Sequence, residues 1–130
     1  MSIQYRLTEK SDNINANPKK GYYAQVVTRG TVDTNELCKI ISSRCTLTAP
    51  DIKGTLEALA EIIEEKLSEG YNVCINEIGT FSVSAETSKK APEDNVTDQH
   101  VKVKKVNYRP SVRMKKTMED ATFERITDRK

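Results

Sequence analysis

Tryptophan is absent from this 130-residue chain, phenylalanine occurs only twice, and aromatic residues make up 5% of it. Whatever core it builds has few large side chains to fill it. No apolar run is longer than a few residues, which excludes a membrane-spanning helix. The N-terminal Met-Ser-Ile-Gln-Tyr-Arg-Leu alternates instead of setting a charged region before an apolar one, so no signal peptide is expected and the chain is assigned to the cytoplasm. Histidine occurs once, as His100, and the three cysteines, Cys38, Cys45 and Cys74, have spacings that match no zinc or redox motif. Reduced core cysteines and no metal site are expected. A Ser-His-Asp set, a glycine-rich phosphate loop and a carboxylate pair in an apolar setting are all missing. The sequence therefore supports neither catalysis nor a cofactor nor a small-molecule substrate.

What is present suits one domain with a thin core. Hydrophobic residues make up 36% of the chain and charged residues 31%, a balance that calls for a partner subunit to cover the remaining apolar surface. Residues 2–7 alternate Ile3, Tyr5 and Leu7 against polar neighbours, and Tyr22 to Val27 is an aromatic and β-branched run. These predict two strands joined by the polar loop Ser11 to Lys20. Asp33-Thr34-Asn35-Glu36 has capping-box form, and Leu37, Ile40, Ile41 and Cys45 follow at helical spacing. Thr48, with Pro50 and Asp51 behind it, opens a second helix whose stripe of Ile52, Leu56, Leu59, Ile63 and Leu67 runs to Gly70. Its other face is acidic and a poor surface for nucleic acid.

Gly70 fits a helix stop feeding a hairpin, with Asn76-Glu77 between Val73-Cys74-Ile75 and Thr80-Phe81-Ser82-Val83. Gly79, inside the strand pattern, marks a bulge or a close backbone approach. Thr87 to Gln99 has little to bury and is expected as an exposed arm tip. Val101, Val103 and Val106 then straddle the doublet Lys104-Lys105, which predicts a strand with an irregularity. Pro110 and Ser111 lead into a short helix to about Asp120, and Thr122 to Ile126 reads as a closing strand.

The charge is segregated although the net value is only +2. Lys102, Lys104, Lys105, Arg109, Arg113, Lys115 and Lys116 lie between Val101 and Met118 without one acidic residue. Arg113, Lys115 and Lys116 fall early in the last helix and Glu119-Asp120 at its end, the reverse of what the helix dipole prefers. A bound anion relieves that conflict, and a polyanion suits several such positions in a row. A solvated basic face remains the plainer alternative.

From Val32 to about Met118 the chain resembles the HU and integration-host-factor family of bacterial histone-like DNA-binding proteins. The resemblance rests on Asp33-Thr34-Asn35-Glu36-Leu37 at a helix start, Leu47-Thr48 at an interhelical turn, Ile78-Gly79-Thr80-Phe81 in a hairpin, and Val106-Asn107-Tyr108-Arg109-Pro110-Ser111 entering a last helix. With Tyr22-Tyr23-Ala24-Gln25 it looks like the extended variant found in Bacteroides-type bacteria. It implies an α+β fold: two N-terminal helices, a β-hairpin sheet with arms, a short C-terminal helix and extra N-terminal strands. It divides the chain into a β extension over 1–31, an HU-like domain over 32–120 with its arm at about 87–99, and a C-terminal strand and tail over 121–130.

The implied function is non-specific binding of double-stranded DNA in the bacterial nucleoid, as a homodimer whose core includes Leu37, Ile41, Leu56, Leu59, Ile63 and Phe81. The basic residues above, with Lys89 and Lys90 in the arm, would contact phosphates. Pro92 is a loose counterpart of the family's intercalating proline. Glu93 and Asp94 beside it repel phosphates, so weak bending is expected. The rival reading is an HU-fold protein-interaction module with little DNA affinity.

Overall fold

The computed structural model describes residues 1–10, 21–87 and 98–127. The Lys89, Lys90, Pro92, Glu93 and Asp94 expectations lie outside them. Among the described residues the architecture is mixed α+β, with three α-helices and two three-stranded sheets, and the chain divides into two compact units: Thr34–Lys116, and Met1–Asp33 together with Thr117–Lys130.

The first unit opens with helix α1 (Thr34–Arg44), which begins directly after Asp33. Its buried residue is Cys38. Leu37, Ile40 and Ile41, the stripe read from the sequence, stay exposed. The expectation of three core cysteines is corrected as well: Cys45 lies past the end of α1, and both it and Cys74 are exposed free thiols. Helix α2 (Ala49–Ser68) starts as its sequence dictates. Thr48 Oγ1 accepts from the Asp51 amide at 3.4 Å and donates to the Asp51 carboxylate at 2.7 Å, with Pro50 in the first turn. The end of α2 is a Schellman closure. Gly70 takes φ 96°, its amide donates to Leu67 O at 3.1 Å, and the Tyr71 amide reaches back to Lys66 O at 3.0 Å. Ile52 and Leu67 are buried along the α2 stripe, while Leu56, Leu59 and Ile63 are only half-buried.

Strands β3 (Val73–Ile75), β4 (Gly79–Thr87) and β5 (Val101–Pro110) form an antiparallel sheet in that order. A single 3-10 turn, Asp98–His100, leads into β5, and helix α3 (Val112–Glu119) follows it. In the other unit β1 (Ile3–Lys10) is the central strand. It pairs antiparallel with β2 (Gly21–Val26) and parallel with β6 (Phe123–Arg125), so the closing strand joins the N-terminal hairpin.

Candidate nucleic-acid interface

The site is built from β4, β5 and the first turn of α3. Gly79 is the fixed point. It pairs with Pro110 at φ 153°, and a Cβ there would collide with the Arg109 carbonyl oxygen and lie 2.7 Å from a Tyr108 ring carbon. The glycine marks a close approach, and the bulge of this hairpin lies elsewhere. Three hydrogen bonds then tie the 77–79 turn to the entry of α3. Tyr108 donates its hydroxyl to Ile78 O at 2.9 Å, the Ser111 amide donates to Ile78 O at 3.0 Å, and Ser111 Oγ donates to Glu77 O at 2.9 Å. Ser111 Oγ also accepts from the Met114 amide at 3.1 Å, which makes it the N-cap that its position suggested.

From Gly79 outward the register runs regularly to Ser84, opposite Lys105, then steps so that Ala85 faces Val103. Lys104 is the extra residue. This is the irregularity expected from the valine spacing, and it sorts the hairpin into two faces. Thr80, Ser82, Ser84 and Glu86 share one face with Arg109, Asn107, Lys105 and Lys102. Phe81, Val83 and Ala85 share the other with Tyr108, Val106 and Val103. The Phe81 and Tyr108 ring centroids are 5.3 Å apart. Without the extra residue in the Lys104-Lys105 doublet, the three valines could not fall on one side at their spacing of two and three.

Two cations already have carboxylate partners. Arg113 Nη1 lies 2.7 Å from Glu77 Oε2, and Lys102 Nζ lies 3.4 Å from Glu86 Oε1, both pairs well exposed. Sequence reading missed both. The acid-free run between Val101 and Met118 is a property of the chain order and does not survive folding. The register counted outward from Gly79, with one extra residue allowed for the Lys104-Lys105 doublet, places Glu86 against Lys102. Glu77 also supplies the negative charge that α3 lacks in its own first turn, so part of the dipole conflict is relieved internally. Lys104, Lys105, Arg109, Lys115 and Lys116 are exposed on β5 and α3.

Of the expected dimer-core residues, Leu37 and Ile41 are exposed, and Leu56, Leu59, Ile63 and Phe81 are half-buried. They leave the single chain with much apolar surface uncovered. Among the described residues, no three His, Cys, Asp or Glu side chains cluster as a metal site would need, and no helix is long and apolar enough to cross a membrane.

A family model for an HU domain fused to wHTH, Ig, or Glycine-rich motif matches residues 1–125. The chain belongs to this HU-HIG family. Among solved structures, a proposed bacterial DNA-binding protein from Bacteroides vulgatus ATCC 8482 is similar to this HU-HIG chain, with a TM-score of 0.70 at 13% identity. The match covers 98% of the chain and 50% of that neighbour, so the chain spans about half its length. At that identity the likeness speaks for the fold alone. Among curated proteins none matches.

Proposed function

We propose that the chain is a non-enzymatic, histone-like protein of the bacterial nucleoid that binds double-stranded DNA through its phosphates, with little sequence preference, as a homodimer. The observation that carries this reading is the division of the β4–β5 hairpin by its bulge. Lys102, Lys105 and Arg109 stand on one face with short hydroxyl side chains between them, and the apolar residues stand on the other. Long cations over Thr80, Ser82 and Ser84 offer charge and hydrogen-bond donors to a backbone and little that distinguishes one base pair from another. Arg113, Lys115 and Lys116 extend the same chemistry along α3. In this reading Lys89 and Lys90 add arm contacts, and Pro92, followed by Glu93 and Asp94, bends DNA weakly.

Membership of the HU-HIG family and the DNA-binding description of the structural neighbour support the reading. The pairing of Lys102 and Arg113 with carboxylates favours the rival, a protein-interaction module, because it removes part of the basic character. A salt series decides between them. In gel shifts on two unrelated duplexes, log affinity should fall steeply with log salt. Arg109→Ala and Lys115→Ala should each flatten the slope by about 0.9, equally on both sequences. Unchanged affinity and slope in the double variant would place the binding surface elsewhere, and the absence of salt-dependent binding by the wild type would favour the rival.

A further inference from the structure

The unit formed by Met1–Asp33 and Thr117–Lys130 rests on one sheet, ordered β2-β1-β6. Its register puts Tyr5 and Leu7 of β1 on the same face as Ala24 and Val26 of β2, which pair with Leu7 and Tyr5 respectively. Phe123 of β6 joins that face beside Ile3, its ring edge-on to Tyr5 at a centroid distance of 6.2 Å. At the top of the same face Tyr22 pairs with Glu9, and near its base Arg125 pairs with Tyr5. Gln4, Arg6, Thr8 and Gln25 occupy the opposite face, where Thr8 Oγ1 donates to Gln25 at 3.1 Å. The apolar face is open: Tyr22 is 67% exposed, Val26 63% and Phe123 58%. A small sheet needs a second layer over such a face to be stable.

We propose that this layer is the same face of a second copy of the chain, related by a two-fold axis that passes Leu7 and Ala24. The register makes the face self-complementary about that level. An axis lying between the two sheets and across the strands sets Leu7 over the second copy's Leu7 and Ala24 over its Ala24. Residues two positions to either side exchange. Tyr22 then lies over the second copy's Val26, and the small Ala24 leaves room beside the ring. Glu9 lies at the level of the second copy's Tyr5–Arg125 pair. Among the described residues each face carries one acid and one base placed symmetrically about Leu7, so stacking brings opposite charges together twice. Packing of this kind holds sheets about 10 Å apart with their strands nearly aligned, and such an isologous surface closes on itself. The inference is independent of DNA binding. Beside the dimerisation proposed for the helical unit, a second isologous surface either closes the same dimer or joins dimers together, according to whether the two axes coincide.

Cross-linking of the full chain tests it. In a Cys45→Ser/Cys74→Ser background, which removes the exposed thiols and retains buried Cys38, a short bismaleimide should join two chains at Leu7→Cys or Ala24→Cys. Both positions sit on the proposed axis. Gln25→Cys, on the opposite face, should give about tenfold less product at the same protein concentration. Glu9→Arg should lower the yield at Leu7→Cys, and adding Arg125→Glu should restore it. Circular dichroism establishes that each variant is folded, with the two axial positions serving as checks on one another. Equal yields on the two faces, no product at either axial position in folded protein, or a yield indifferent to charge reversal would overturn the proposal.

Discussion

Gly79 and Glu77 show how little separates a structural residue from a functional one in this hairpin. Gly79 holds φ 153° against the Arg109 carbonyl, and there is no space for a methyl group beside the Tyr108 ring. Gly79→Ala therefore combines backbone strain with overpacking, of the order of 1–3 kcal/mol. Equilibrium denaturation should show that loss, together with release of the Tyr108 hydroxyl from Ile78 O. Glu77 is different. Its pair with Arg113 at 2.7 Å is exposed on both sides, and pairs of that kind contribute about 0–1 kcal/mol. Glu77→Gln should thus leave stability nearly unchanged. If Arg113 contacts phosphate as proposed, the change removes a negative charge that competes for it, so duplex affinity should rise and the salt slope should steepen by up to about 0.9. A variant with unchanged affinity and slope would show that Arg113 is not at the interface.

At the scale of elements, the β4–β5 ladder gives a sharper test, because its register is continuous on either side of one residue. Ser84 faces Lys105 and Ala85 faces Val103, so deleting Lys104 joins two segments that are already aligned. That deletion should keep the fold, with cooperative unfolding, and remove one cation. Deleting Val103 instead carries Lys104 opposite Ala85, onto the valine face, and should destabilise the protein and its association. Melting curves of the two deletions separate these outcomes. Much of this was legible beforehand: the doubled lysine between Val103 and Val106 announced the bulge, Thr48-Ala49-Pro50-Asp51 announced α2, and Ser111 announced α3. Local chemistry fixes such features, and local chemistry is what a sequence displays. The carboxylates facing Lys102 and Arg113 depend on pairing across the hairpin and on the turn at Glu77, so chain order concealed them. The parallel pairing of β6 with β1 joins residues about 120 positions apart, as in the Ser2–Thr122 hydroxyl contact at 2.6 Å, and no local pattern encodes it.

For the whole molecule the decisive quantity is the core that is missing. Among the described residues only Cys38, Ile52 and Leu67 are buried hydrophobics, while Leu37, Ile40 and Ile62 on the helices and Val103 and Val106 on the hairpin stay exposed, the two valines at 60%. Burying each such side chain contributes roughly 1.5–3 kcal/mol, whereas ordering the backbone costs about 1–2 kcal/mol per residue. The three fully buried apolar residues among those described do not offset that cost by themselves. In the proposed dimer a second copy supplies the remaining burial, and folding and dimerisation are then expected as one transition whose midpoint rises with protein concentration. Phe81, half-buried at the root of the valine face and 5.3 Å from the Tyr108 ring, is the residue through which to test this. In the proposed dimer Phe81 becomes a core side chain, whose removal costs about 2–5 kcal/mol, so Phe81→Ala should lower the melting temperature and the sedimenting mass together. A wild-type midpoint independent of concentration, with a monomer in sedimentation at micromolar protein, would refute the coupling. It would also require the apolar faces of α1 and the hairpin to be covered by something other than a second copy.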